Sequence, residues 1–314
     1  MPHSQLAAVK QRRLEATAVA VPLISVIVPA FNAALFLPDA LNSLLGQTHR
    51  DLEVVVVNDG STDDTAGLLS AWCARDPRVR AVYQQNRGLP AARNAGLSVA
   101  RGDYIAFLDA DDVIHPEKLE RQLAYLTTHP DADLVYSDYG TADAELRPLT
   151  EEVVGVKRLP LSEAYAYTNV FPVMSPLLRR TLVERVGGFD EQLRACEDWD
   201  YWVRCERAGT FGYLPGHYAT YRMHGTQMHR DLNFMLKYAR MAATKNYPGE
   251  PQKVRTMVGS VLWWQFGLQM RTHGVSKVQV LLRPRILSTA LRMVWEVRSV
   301  RVALHIRHLF RRGI

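Results

Sequence analysis

The stretch Arg101-Gly102-Asp103-Tyr104-Ile105-Ala106-Phe107-Leu108-Asp109-Ala110-Asp111-Asp112 joins a short apolar run to a cluster of carboxylates. Alternate side chains of a strand share a face, so Asp109 and Asp111 can point the same way. Two carboxylates on one side of a strand end repel unless a positive charge stands between them. Hard oxygen ligands suit Mg²⁺ or Mn²⁺, and such an ion, still partly open, can hold a diphosphate. The alternative is a solvated Asp-rich turn capping the next helix, a common use of aspartate.

Other elements must place that cluster. Ile24 to Pro29 and Glu53 to Val57 are β-branched runs, the second nearly continuous valine, as in a strand buried on both faces. Val79 to Tyr83 and Tyr104 to Leu108 are two further candidate strands. Helix-length segments separate them at 34–46, 63–75 and 89–100. A fourth follows at 116–128, with Pro116 placed as the first helical residue and Leu119, Leu123 and Leu126 at core spacing. Alternation of this kind predicts βαβ units, a parallel sheet and right-handed crossovers. Ligands of such sheets bind outside the carboxyl ends of the strands. Polar clusters stand at all four of those ends: Ala30-Phe31-Asn32, Asn58 to Asp63, Gln84 to Gly88, and the aspartates.

These clusters carry a family resemblance. Ser25 to Asn32, Val57-Asn58-Asp59-Gly60-Ser61-Thr62-Asp63, Asn86-Arg87-Gly88 with Ala92-Arg93-Asn94, Asp109-Ala110-Asp111 and Glu197-Asp198 resemble, in order and spacing over about residues 22–225, the family 2 glycosyltransferases. The resemblance implies a GT-A fold: an α/β, Rossmann-like, mainly parallel sheet flanked by helices. It implies a nucleotide-sugar half at about 22–132 and an acceptor half at about 133–230. Residues 1–21 then form an N-terminal arm and 231–314 a basic helical region.

By the same resemblance, Asp59 hydrogen-bonds the base of a nucleotide-sugar, usually uracil. Pro29, Ala30 and Phe31 line the base pocket. Asn32, Gly60, Asn86, Gly88 and Ala110 complete the nucleotide site. Arg93 lies near the diphosphate or the aspartates. Asp111 ligates the divalent metal, Asp109 contacts ribose or the metal shell, His224 completes that shell, and Asp112 supports it. Asp198 is the general base, with Glu197 as alternative or support; acids at a helix start also simply favour the macrodipole. Direct displacement inverts the anomeric carbon. The Gln-x-x-Arg-Trp motif of processive members is broken here, since Asp231 follows Gln227-Met228-His229-Arg230. The expected reaction is transfer of one UDP-linked sugar to a glycan or lipid-linked glycan, as in bacterial surface polysaccharide assembly. A catalytically silent nucleotide-binding scaffold is the alternative. A nucleotidyltransferase would carry a Gly-rich basic loop where this chain has Ala30-Phe31-Asn32-Ala33-Ala34.

The 314 residues carry a net charge of +6, unevenly spread. Residues 231–314 hold 15 basic against 3 acidic side chains, and the remainder 23 against 29. The basic, Trp- and Leu-containing segment 255–314 fits an anionic membrane surface; packing on the core or a dimer interface are its alternatives. No nucleic-acid-binding motif accompanies the charge. Cys73, Cys196 and Cys205 form no CxxC pair, which suits a reducing compartment. With no 18-residue apolar run, the expectation is cytoplasmic residence, with peripheral contact at the inner face of the membrane.

Overall fold

The valine run reads as it does because both faces of its strand are covered. The computed structural model describes residues 22–150, 165, 169–228 and 231–272, with side chains as far as residue 262. Strands β1 (Ile24–Ala30) and β2 (Leu52–Asp59) are buried along their whole lengths. They pair in parallel, Ile24 opposite Leu52 and Ala30 opposite Asn58. β3 (Val79–Gln84) adds in parallel to β2, and β4 (Tyr104–Phe107) to the other side of β1. The connections are helices α1 (Leu37–Leu45), α2 (Thr65–Arg75) and α3 (Leu89–Val99). All four parallel strands therefore deliver their carboxyl ends to one edge.

Beyond β4 the chain forms the short β5 (Val113–Ile114), α4 (Lys118–Thr128), β6 (Leu134–Ala142), β7 (Pro148–Thr150) and β8 (Leu177–Arg179). It continues through α5 (Arg180–Val186), α6 (Glu197–Ala208), β9 (Phe211–Arg222), α7 (Leu232–Asn246) and α8 (Pro251–Thr272). One sheet runs through the described residues in the order β3-β2-β1-β4-β8-β6-β9-β5, with β7 on β6. β8 is antiparallel to both β4 and β6, and β9 is parallel to β6. The mainly parallel sheet thus becomes mixed beyond β4.

Alternation along β1 divides the core. Ile24, Val26 and Val28 face one cluster with Leu37, Leu41 and Leu119, while Ile27 joins Phe107 in a second, aromatic cluster with Phe171, Phe189 and Trp202. Helices α7 and α8 belong to that second cluster through Ala239, Ala242, Met257, Val258 and Leu262. The first part of the segment read as a membrane surface therefore packs on the core; residues 273–314 lie outside the described residues, as does the arm 1–21. Among the described residues no helix is long and apolar enough to cross a membrane.

Two local expectations change. α4 begins at Lys118, not Pro116: the Pro116 carbonyl accepts the Thr48 amide at 2.8 Å and is spent outside the helix. β6 has no clean sequence signal, because Ser137 and Asp138 interrupt it at a register shift against β9. Both are buried and held by side chains: Ser175 Oγ donates to the Ser137 carbonyl (2.6 Å) and Tyr213 Oη to Asp138 Oδ2 (2.6 Å).

Candidate active site

The loops after β1 and β2 are laced together. Asn32, in the left-handed region at φ 50°, accepts the Thr62 amide on Oδ1 (2.8 Å), and its own amide donates to Ser61 Oγ (3.0 Å). The Ala34 amide donates to Asp63 Oδ2 at 3.1 Å. Pro29 and Ala30 are buried beneath, and Phe31 is half exposed at the rim.

Asp59, at the end of β2, is buried and accepts three hydrogen bonds: Gln84 Nε2 (2.7 Å), the Arg87 amide (2.9 Å) and the Gly88 amide (2.8 Å). Its first work is to fold the loop after β3. A carboxylate has about four acceptor positions, so one remains for a ligand N–H. Gly60 is required beside it: φ is +73° and a Cβ would stand 2.7 Å from the Asn86 amide nitrogen.

From that loop starts α3, which carries Arg93 and Asn94. Arg93 is 1% exposed. Its guanidinium donates through Nη2 to Asp109 Oδ1 (2.7 Å) and through Nη1 to Glu197 Oε1 (2.5 Å), over the Phe189 ring. Asn94 clamps the turn before α6: its Nδ2 donates to the Phe189 carbonyl (2.9 Å), and its Oδ1 accepts the Phe189 amide (2.7 Å).

Glu197 and Asp198 open α6, immediately after Cys196, a left-handed residue at φ 56°. Asp198 is half-buried; it accepts Asn169 Nδ2 on Oδ2 (2.8 Å) and the Trp199 amide on Oδ1 (2.7 Å). Burial raises Asp198 above the ordinary carboxylate range, with Arg93 and Asn169 pulling back. Burial likewise pushes Glu197 up to about 7 against the pull of Arg93, helped by the Asp198 charge. Asp200, the remaining acid of that turn, is structural: it binds Arg204 (2.9 Å), Lys245 and Asn246 (2.8 Å) and ties α6 to α7.

At the end of β4, Asp109 is raised by burial and by Asp111, against Arg93. Ala110 is buried between the two acids. Asp111 Oδ2 meets His224 Nε2 at 2.8 Å, and His224 Nδ1 lies 3.0 Å from Thr226 Oγ1. Asp112 is fully buried and accepts the Arg222 amide (2.8 Å). Arg222 itself was not singled out by the sequence, yet it is buried, stacks on Phe36 and donates to the Asp111 carbonyl (2.7 Å), the Ala144 carbonyl (2.8 Å) and Asp39 (2.8 Å). Asn169 was likewise missed; an isolated asparagine 29 positions from its partner carries no local signal.

Three groups of the expected residues are therefore brought together: Asp59, Gly60, Asn86 and Gly88; Asp109, Arg93, Glu197 and Asp198; and Asp111 with His224. Arg93 lies against Asp109 and Glu197 and is sealed from solvent by these two carboxylates. Among the described residues no group of three or more His, Cys, Asp or Glu side chains is arranged to hold a metal ion. Asp111 and His224 nonetheless stand side by side, an oxygen and an imidazole donor in direct contact. That fits Mg²⁺ or Mn²⁺, which take one or two protein ligands and complete their shell with water and phosphate. Asp109 has one oxygen committed to Arg93 and so is the weaker third ligand.

Residues 25–184 match the model of glycosyl transferase family 2. The chain belongs to this family. Curated relatives of this family 2 chain include the uncharacterized glycosyltransferase EpsJ of Bacillus subtilis (strain 168), 33% identical over 187 residues, which are 57% of this chain and 54% of that one. The hyaluronan synthase of Pasteurella multocida is 30% identical over 208 residues, 62% of this chain and 20% of that one. The matches span about half to three-fifths of the length of the first curated relatives, 54% and 60%. Among solved structures, S. aureus TarS 1-349 in complex with UDP-GlcNAc superposes with a TM-score of 0.61 at 19% identity, covering 89% of this chain and 82% of that one. The mannosyltransferase PcManGT from Pyrobaculum calidifontis, in complex with GDP-Man and Mn²⁺, gives 0.59 at 18% identity, covering 93% and 92%. The fold is GT-A, and residues 25–184 form its glycosyl transferase family 2 domain.

Proposed function

We propose that this family 2 enzyme is an inverting, metal-assisted transferase that moves one sugar from a UDP-linked donor to a hydroxyl of a glycan or lipid-linked glycan. One observation carries the reading: the acids opening α6 and the acids ending β4 share a buried arginine, so proton removal and diphosphate binding fall in one site. The acceptor oxygen attacks the anomeric carbon as Asp198 takes its proton, and the bond from that carbon to the diphosphate oxygen breaks. Asp198 is the better base, because Glu197 is committed to Arg93. Asp111 and His224 would hold the cation, which when bound neutralises charge on the diphosphate. Asp59 keeps one acceptor position for a uracil imide. UDP-GlcNAc in the TarS complex supports the donor class, and the hyaluronan synthase relative supports a glycan acceptor.

The test is release of nucleoside diphosphate from a panel of UDP-, GDP- and dTDP-sugars, with Mn²⁺ or chelator. Chelator-sensitive release from one donor, lost in Asp111→Ala, is the expected result. With an acceptor present, Asp198→Asn lowers transfer by about 10²–10⁴-fold, the usual contribution of a general base, while UDP still binds. UDP binding without turnover of any donor or acceptor mixture would favour the silent scaffold instead.

A further inference from the structure

Arg93 resembles neither a substrate ligand nor an ordinary core ion pair. Its exposure is 1%, so nothing arriving from solvent reaches its guanidinium while the two carboxylates are in place. Those carboxylates come from opposite sides of the site. Asp109 lies 16 positions away, at the end of β4 on the donor side, and Glu197 lies 104 positions away, beside the proposed base. One guanidinium edge cannot bond both unless they are held at a fixed separation, because its N–H donors form a rigid planar fork.

The rest of α3 reinforces the same register. Its leading loop hangs from Asp59 through the Arg87 and Gly88 amides. The next residue, Asn94, makes two bonds to the Phe189 backbone in the turn that leads into α6, and Phe189 lies under the Arg93 guanidinium. Arg87 donates to Glu191 in that turn at 2.8 Å. One and a half turns of a single helix thus grip the base-binding loop, the β4 aspartates and the start of α6.

We propose that Arg93 is a positioning residue: its fork holds Glu197, and through it Asp198, in register with Asp109, so that the acceptor hydroxyl is lined up on the donor's anomeric carbon. The proposal rests on the transferase reading of the site. It assigns Arg93 a role in the geometry of transfer, and none in holding the nucleotide.

The decisive comparison is between Arg93→Lys and Glu197→Gln in the full chain. Lysine keeps the charge as a point on a flexible stem and cannot bond both carboxylates with fixed geometry. Glutamine keeps the acceptor oxygen that Arg93 Nη1 uses. With a donor that the wild type turns over, Arg93→Lys should lower kcat by 10- to 100-fold while donor KM and UDP affinity by calorimetry stay within 3-fold. Glu197→Gln, which keeps the bond to Arg93, should lose less kcat than Asp198→Asn. Hydrogen exchange supplies a readout free of turnover: in Arg93→Lys the amides of 189–199 should exchange at least 10-fold faster, with those of 84–88 unchanged. Unchanged exchange at 189–199 overturns the proposal whether or not a donor is found. So does a loss of UDP affinity with kcat retained, which would make Arg93 a diphosphate ligand. A Glu197→Gln variant as inactive as Asp198→Asn would also overturn it, making Glu197 a reacting group and Arg93 its counter-ion. A wild type that turns over no donor, yet shows the expected exchange change in Arg93→Lys, refutes the transferase reading alone.

Discussion

His224 Nε2 stands 2.8 Å from Asp111 Oδ2, joining the turn after β9 to the carboxylates after β4 across 113 positions of sequence. On the proposed reading, the contact puts an imidazole beside the carboxylate that would hold the cation. His224→Ala should raise the Mn²⁺ concentration for half-maximal turnover by about 10- to 100-fold, the range seen when groups around a bound metal are removed. At saturating Mn²⁺ most of the rate should return. A metal titration of donor hydrolysis checks this, and an unchanged midpoint would remove His224 from the metal shell.

Asp59→Ala should cost both stability and ligand. It strands the Arg87 and Gly88 amides, each of which now bonds the carboxylate. Buried donors left without acceptors cost about 1–3 kcal/mol each, less whatever water recovers. Urea unfolding should show a loss of that order, and a UDP titration should show weaker binding. Asp59→Asn, which still accepts through one oxygen, should fall between the two proteins.

Gly60→Ala and Gly249→Ala separate crowding from backbone strain. Both glycines have positive φ, +73° and +78°, but a Cβ on Gly60 meets the Asn86 amide nitrogen at 2.7 Å, and one on Gly249 meets nothing within 4 Å. Gly249→Ala should cost on the order of 1 kcal/mol, the left-handed penalty alone. Gly60→Ala should cost more, and it should also weaken UDP binding, because Asn86 belongs to the loop that Asp59 shapes. Equal losses in the two variants would mean that the Asn86 backbone yields freely.

The pH dependence of stability should carry the signature of Glu197. Burial lifts it from its ordinary 4.5 to about 7. Between those values the folded chain holds a proton that the unfolded chain has released, so stability falls as pH rises. The contribution is complete below pH 4.5 and gone above 7, and its full size is on the order of 3 kcal/mol. Thermal midpoints measured from pH 4.5 to 8 should therefore slope downward more steeply in the wild type than in Glu197→Gln. Parallel curves would place the Glu197 proton at an ordinary affinity.

The first half of the fold was legible because its signals are local. The Val54–Val57 run announces a strand covered on both faces, and β1 to β4 with their helices fall within a few residues of where the sequence puts them. β6 was not legible, because Ser137 and Asp138 break its apolar pattern and find their partners in distant segments, Ser175 for the Ser137 backbone, Tyr213 and the Gly216 amide for Asp138. The same holds for the site. The aspartates and the glycine turns are written in consecutive residues. The work of Arg222 and Asn169 depends on partners 111 and 29 positions away, which no spacing rule reports.

The lacing of the loops after β1 and β2 bears on how tightly a donor can be held. Fixing one residue's backbone costs about 1–2 kcal/mol of conformational entropy. Asn32 bonds Ser61 and Thr62, and Ala34 bonds Asp63, all groups of the chain itself, so that ordering is met during folding. A nucleotide arriving at this rim meets loops already set and has only its own freedom to lose. Its contacts can then appear almost undiminished in the measured affinity.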